Sequence, residues 1–123
     1  MAVTALLDAA ARAFAMVAYS DGNLVLTEET RFAKFAATDA ALSACPREDV
    51  KTAWAQAVKE VQASPSFGEP LLAIRTEIKS DQDKQAVMRA AEAAVVADGK
   101  VEQQENLAIQ KLAEALGLDP EDY

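Results

Sequence analysis

The chain of 123 residues has no histidine and a single cysteine, Cys45. Without histidine there is no imidazole to act as a general base, to complete a Ser-His-Asp or Cys-His pair, or to bind a metal ion. One cysteine cannot form a disulfide within the chain or supply the thiolate cluster of a zinc site. These absences argue against an enzyme.

Glycine and proline are also scarce, with four of each. All eight fall where the helical spacing of apolar residues breaks, as expected of residues that separate helices. Alanine, the strongest helix former, occurs 28 times. The composition predicts an all-α protein.

Basic residues and long apolar runs are scarce as well. Twelve basic and twenty acidic residues give a net charge of −8, which opposes binding to nucleic acid. No apolar run approaches the roughly 18 residues of a membrane span. The N-terminal stretch lacks the basic start of a signal peptide and contains Asp8 and Arg12. We therefore expect a soluble, cytoplasmic protein without direct membrane insertion.

Apolar spacing predicts a single-domain bundle of about six to seven helices. Helices are predicted over residues 3–20, 70–78, 80–97 and 102–116, with approximate bounds. A further helix begins near residue 27, another runs for about four turns after Pro46, and a short helix or turn is predicted over 39–44. Trp54 lies on an aliphatic stripe, which predicts a core position, and Cys45 is expected to be a small apolar filler.

Helix ends carry their own signals. Thr27 and Ser80 precede helical patterns and are expected to cap them, with Asp83 three residues after Ser80. Gly117 follows the last pattern and suits a left-handed residue, after which Leu118 can fold back on the helix.

The chain contains a repeated motif. Segments "AYSDGNLVLTEE" (18–29) and "VVADGKVEQQEN" (95–106) share the spacing Asp-Gly-x-aliphatic-x-x-x-Glu. The same shift of 77 positions aligns Arg12 with Arg89 and Phe32 with Ile109. We predict an internally duplicated helix-loop-helix with halves of about 4–37 and 81–116, joined by middle helices within one domain over residues 1–123.

Four repeated acids are candidate metal ligands: Asp21, Glu28, Asp98 and Glu105. Their spacing matches the second half of an EF-hand calcium loop. The first half is missing, because apolar or aromatic residues replace its acidic ligands in both copies. These are Val17, Tyr19, Ala94 and Val96. A true EF-hand is therefore rejected.

One half-loop supplies too few oxygens for a calcium ion, which takes about six to eight. It offers one from the aspartate, one from the backbone of Asn23 or Lys100, and two from the glutamate. Two halves brought together could enclose an ion, whereas separate halves would each hold a mostly hydrated one. The hypothesis is a hard divalent cation, calcium first, with magnesium and manganese as alternatives.

The loops also admit a metal-free interpretation. The two aspartates can form Asx-turns, Gly22 and Gly99 can supply positive φ, and the glutamates can favour the positive end of the following helix. The protein would then be a structural scaffold for protein interactions. Scattered basic residues could face a partner or simply be solvated: Arg31, Lys34, Arg47, Lys51 and Lys59. A hydrolase with paired carboxylates would need a concave pocket that the sequence does not indicate.

Two segments of the chain resemble the two halves of proteins in the TerB family of tellurite-resistance and stress-response proteins. They are "AYSDGNLVLTEETRFAKF" and "AAVVADGKVEQQENLAIQKLAEALGLDPEDY". The resemblance covers nearly the whole chain. It implies an all-α bundle of about seven helices in a bacterial cytoplasmic protein without known catalytic chemistry.

The resemblance also implies a site and partners. The family's acidic loops, suspected of holding a metal ion, fall on the four repeated acids, and the implied partners are a membrane protein and calcium-binding proteins of the same resistance system. This would place the protein at the inner face of the membrane. The second loop departs from the family pattern, since Lys100, Gln103 and Gln104 stand where further acids are common.

Overall fold

The computed structural model describes the backbone of residues 2–19, 27–63, 68–98 and 103–118, with side chains except those of 2–4, 27–28, 95–98 and 103–106. These ranges contain no strand. They contain six α-helices: α1 (Ala2–Ala18), α2 (Thr27–Thr38), α3 (Arg47–Ala63), α4 (Gly68–Glu77), α5 (Asp81–Asp98) and α6 (Gln103–Ala115). The predicted all-α single domain is confirmed. Residues 39–45 form successive turns rather than a seventh helix.

Helix α1 forms the centre of the molecule. From Leu6 to Ala18 every residue except Asp8 is buried. A helix that is apolar on all sides must be covered on all sides, and α1 contacts each of the other five helices. Around it, contacts between neighbours close a ring in the order α2, α3, α4, α6, α5.

Aromatic side chains fasten α2 and α3 to the central helix. The ring of Phe14 on α1 meets Phe32 edge-on with centroids 5.5 Å apart, and meets Trp54 edge-on at 5.7 Å. Phe32 stacks on Trp54 at 5.4 Å. Since edge-on and stacked geometries are both favourable, this cluster adds to the energy of apolar burial. The predicted core position of Trp54 is confirmed.

Two predicted helix ends are also confirmed. The Ser80 hydroxyl accepts a hydrogen bond of 3.2 Å from the Asp83 backbone N–H at the start of α5. After α6, Gly117 has φ of 75°. The Leu118 N–H then donates to the Ala113 carbonyl at 2.8 Å, as in a Schellman motif. The predicted cap by the Thr27 side chain lies outside the described side chains.

The 77-residue shift pairs several buried positions, among them Phe32 with Ile109 and Ala36 with Ala113. The surroundings of the two halves nevertheless differ. Helices α3 and α4 cover α1, whereas α5 contacts only α1, α2 and α6 within the described ranges. Duplication of the helix-loop-helix therefore stays a prediction.

Candidate functional site

Three of the four predicted metal ligands stand at the ends of helices. Glu28 is the second residue of α2, Asp98 is the last residue of α5, and Glu105 is the third residue of α6. Asp21 and the carboxylates of the other three residues lie outside the part that the structure describes. The distances between the four carboxylates, which would define a shared site, therefore lie outside it as well. Among the side chains that are described, no group of three or more cysteine, aspartate or glutamate residues is placed so that it could hold a metal ion.

A buried arginine ties three helices together. Arg12 Nε on α1 lies 2.7 Å from Glu60 Oε2 on α3, and its Nη2 lies 3.4 Å from the other oxygen of Glu60. Arg12 Nη1 lies 3.6 Å from Glu77 Oε2 on α4 and has no hydrogen-bond partner in the described part of the chain. The Arg12 side chain is 10% exposed, against 29% for Glu60 and 37% for Glu77.

Asp8 adds a third carboxylate to this surrounding. Burial raises the pKa of Asp8; Arg12 opposes the rise, and the negative charges of Glu77 and Glu60 add to it. The positive charge of one guanidinium thus offsets the negative charges of three carboxylates. The cluster links the helices only as long as Arg12 is present to keep these carboxylates from repelling one another. The sequence signal for it was Arg12 within an apolar stretch, but nothing local identified its partners.

Arg89, the residue aligned with Arg12, also binds a carboxylate. Its Nε and Nη2 lie 2.8 and 3.1 Å from the two oxygens of Asp39, and the Ala41 N–H donates to Asp39 Oδ2 at 3.0 Å. Hydrogen bonds from Arg89, with a smaller contribution from Ala41, lower the pKa of Asp39 although burial opposes them. This ion pair fastens the connection between α2 and α3 to α5.

Acid should weaken that attachment. Because the pKa of Asp39 is lower in the folded chain, its contribution is present above the unfolded pKa of about 3.9 and disappears as the pH falls through the folded pKa. We expect Asp39→Asn to lower the free energy of unfolding by about 1–2 kcal/mol at pH 7.

Urea unfolding at pH 7 and pH 3 measures this effect. The difference between wild type and Asp39→Asn should shrink at the lower pH. The exposed Asp81 supplies the control, since Asp81→Asn should change stability by less than about 0.5 kcal/mol at either pH. A difference for Asp39→Asn that does not change with pH would contradict the assignment.

A groove runs between α2 and the first turns of α3. One hollow of about 400 Å³ is lined by Glu29, Thr30, Ala33, Arg47, Val50, Lys51 and Trp54. An adjoining hollow of about 350 Å³ shares Thr30, Ala33, Arg47 and Val50 and adds Lys34, Ala36, Ala37, Ser43 and Cys45. We call this combined surface the α2–α3 groove.

The groove includes the single cysteine. Cys45 is half-buried and packs against the core, as predicted for an apolar filler. Burial, with the negative charge of Asp49, raises the pKa of the Cys45 thiol. The thiol therefore stays protonated at neutral pH and is a poor nucleophile.

In the described part of the chain, five helices arranged as a ring around the central α1 define a small all-α domain. Within the described ranges, no helix is long and apolar enough to cross a membrane. The family model of the tellurite resistance protein TerB matches residues 7–123, essentially the whole chain. The protein belongs to the TerB family, which confirms the resemblance carried by the repeated motif. No curated protein and no solved structure gives a significant match.

Proposed function

We propose that this TerB-family protein is a non-enzymatic module that binds a divalent cation and docks protein partners. The observation that carries the proposal is the repeated acidic spacing at corresponding places in two helix pairs. Glu28 and Glu105 both lie in the first turn of the second helix of their pair. Asp21 and Asp98 precede them by the same seven positions.

The chemistry of the donor set favours a hard cation. All four proposed ligands, Asp21, Glu28, Asp98 and Glu105, are carboxylates, and oxygen ligands suit calcium first and magnesium or manganese next. A bound cation would supply the positive charge that lets these acids approach one another. Lys100 in the second loop adds a positive charge there, so we expect that loop to bind more weakly.

Membership of the TerB family supports a role in tellurite resistance and stress response. We further propose that the protein works in the bacterial cytoplasm, at the inner face of the membrane, beside a membrane protein and calcium-binding proteins of the same system. Occupation of the acidic loops would then change how readily those partners dock.

Calorimetric titration with calcium, magnesium and manganese tests the cation site. For the wild type we expect heat of binding and a rise in the unfolding temperature. The free energy of unfolding should increase by about 1.4 kcal/mol when the ion concentration is ten times the Kd. Glu28→Gln and Glu105→Gln should each weaken binding, and the double variant should abolish it, because a neutral amide replaces each bidentate carboxylate.

The matched control is Glu114→Gln, an exposed glutamate near the other end of α6, which should bind the cation like the wild type. Flat titrations at millimolar ion would reject the cation site. The alternative of a metal-free structural scaffold for protein interactions predicts that outcome. In that case Asp21→Asn and Asp98→Asn would alter stability slightly and leave any response to metal unchanged.

A further inference from the structure

We infer that the α2–α3 groove is a docking site for an acidic peptide segment of a partner protein. An apolar side chain of that segment would lie against Val50 and Trp54, while its carboxylates would meet Lys34, Arg47 and Lys51. This inference rests on the docking half of the proposed function. It does not require a cation in the acidic loops.

The floor of the groove provides an apolar contact. Ala33 from α2 and Val50 and Trp54 from α3 line it, and the small side chain of Ala33 leaves space between the helices. A concave apolar surface with a few polar groups at its edge is the usual form of a ligand-binding cleft. A large apolar side chain fits within a hollow of this size.

The rim of the groove carries unneutralised positive charge. Lys34, Arg47 and Lys51 are exposed and form no ion pair with any other residue that the structure describes. Arg12 and Arg89, by contrast, are both paired with carboxylates. Arg47 is also the first residue of α3, where the helix dipole adds further positive potential.

Among the residues that line the two hollows, basic side chains outnumber acidic ones. Glu29 is the one carboxylate among the described lining residues of the two hollows. Glu48 and Asp49 belong to the first turn of α3 but do not line either hollow. A local basic rim on a chain with a net charge of −8 can select a complementary ligand.

The combination of charge and shape identifies the ligand class. Nucleic acid would be repelled by the net charge of the chain as a whole. A metal cation would be repelled by the three basic side chains of the rim. The apolar floor favours a ligand with a hydrophobic side chain beside its anionic groups, and the concave form fits a peptide better than it fits a membrane surface. An acidic segment with an apolar anchor meets all of these conditions.

Selection from a displayed library of random 12-residue peptides tests the inference on the full chain. We expect the wild-type protein to enrich peptides that combine aspartate or glutamate with a large apolar residue. A selected peptide is then synthesised and titrated while the fluorescence of Trp54, the single tryptophan, is recorded. The double variant Arg47→Glu/Lys51→Glu should weaken its binding at least tenfold.

Lys59→Glu is the matched control, because Lys59 is an exposed basic residue of the same helix that does not line the groove. It should change the affinity less than twofold. Circular dichroism checks that the double variant is folded. The milder Arg47→Gln/Lys51→Gln variant gives a second measurement and should also weaken binding, by a smaller factor.

Any of three results would overturn the inference. One is enrichment of no peptides, or of peptides without excess acid. Another is equal loss of affinity in Lys59→Glu and in the groove variants. Binding of phosphatidylserine vesicles through Arg47 and Lys51 without acidic peptides would also reject it in favour of a lipid surface.

Repeating the titration with a chelator separates this inference from the cation proposal. Peptide binding that persists in the chelator, beside a flat calcium titration, supports the groove and rejects the cation site. A positive calcium titration without peptide binding gives the opposite result.

Discussion

Replacing Phe32 by alanine is expected to lower the free energy of unfolding by about 3–5 kcal/mol, the largest effect of any single change considered. Phe32 is fully buried at 0% exposure, and its ring contacts both Phe14 and Trp54. Removing it leaves a cavity where α2 meets α1 and α3, and it removes the ring contacts with Phe14, Trp54 and Phe35. The loss is a large part of the roughly 5–15 kcal/mol that holds a typical domain folded.

Urea unfolding followed by far-UV circular dichroism measures this loss. The control is Phe35→Ala, which changes the same residue type on the same helix at a half-buried position, where the ring meets Phe32 at 6.5 Å but is not in ring contact with Phe14 or Trp54. Its effect should be clearly smaller. If Phe35→Ala and Phe32→Ala were equally destabilising, the aromatic cluster would not be the main attachment of α2.

Replacing Arg12 by methionine should lower the free energy of unfolding by about 2–4 kcal/mol. Methionine retains much of the apolar stem but removes the positive charge that faces Glu60 and Glu77. Those carboxylates and Asp8 would then repel one another with no cation between them. The expected value lies below that for a fully buried pair, because Glu60 and Glu77 are partly exposed and water screens them.

The control for Arg12→Met is Lys59→Met, which removes an exposed charge beside Glu60 and should change stability by less than about 0.5 kcal/mol. The double variant Arg12→Met/Glu60→Gln should be less destabilised than the sum of its single changes, because the second substitution removes one of the unpaired charges. Additive effects in urea unfolding would show that the two residues act independently.

Features that depend on neighbouring residues could be predicted from the sequence. The cap by Ser80, the left-handed Gly117 and the core position of Trp54 each follow from a pattern a few residues long. The helices followed from apolar spacing in the same way, and the segment 39–44 was predicted as either a short helix or a turn.

Contacts between distant helices could not be predicted in that way. Arg12 binds Glu60, 48 positions away, and Arg89 binds Asp39, 50 positions away. The two arginines align in the repeat, yet the side chain of Arg12 is 10% exposed and that of Arg89 is 48% exposed. The difference arises because α3 and α4 cover α1 and do not cover α5 in the described ranges.

In the candidate sites, too, local features could be predicted from the sequence and tertiary contacts could not. Local spacing identified the repeated acids, but whether two loops share one cation depends on tertiary placement, at residues beyond those described. Each basic residue could be identified from the sequence as a possible partner contact, but the sequence did not show which of them share a surface. Lys34, Arg47 and Lys51 join a single groove because α2 and α3 pack side by side, whereas Lys59 lies elsewhere on α3.

The enclosed position of α1 has a consequence for the newly made chain. Residues 2–18 leave the ribosome before α6, which begins at Gln103 and belongs to the ring that covers them. During synthesis, part of the surface of α1, the most apolar of the described helices, therefore stays uncovered until α6 has been made. Exposed apolar surface of this kind attracts chaperones and promotes aggregation, so the speed at which α5 and α6 arrive should govern the yield of folded protein in the cell.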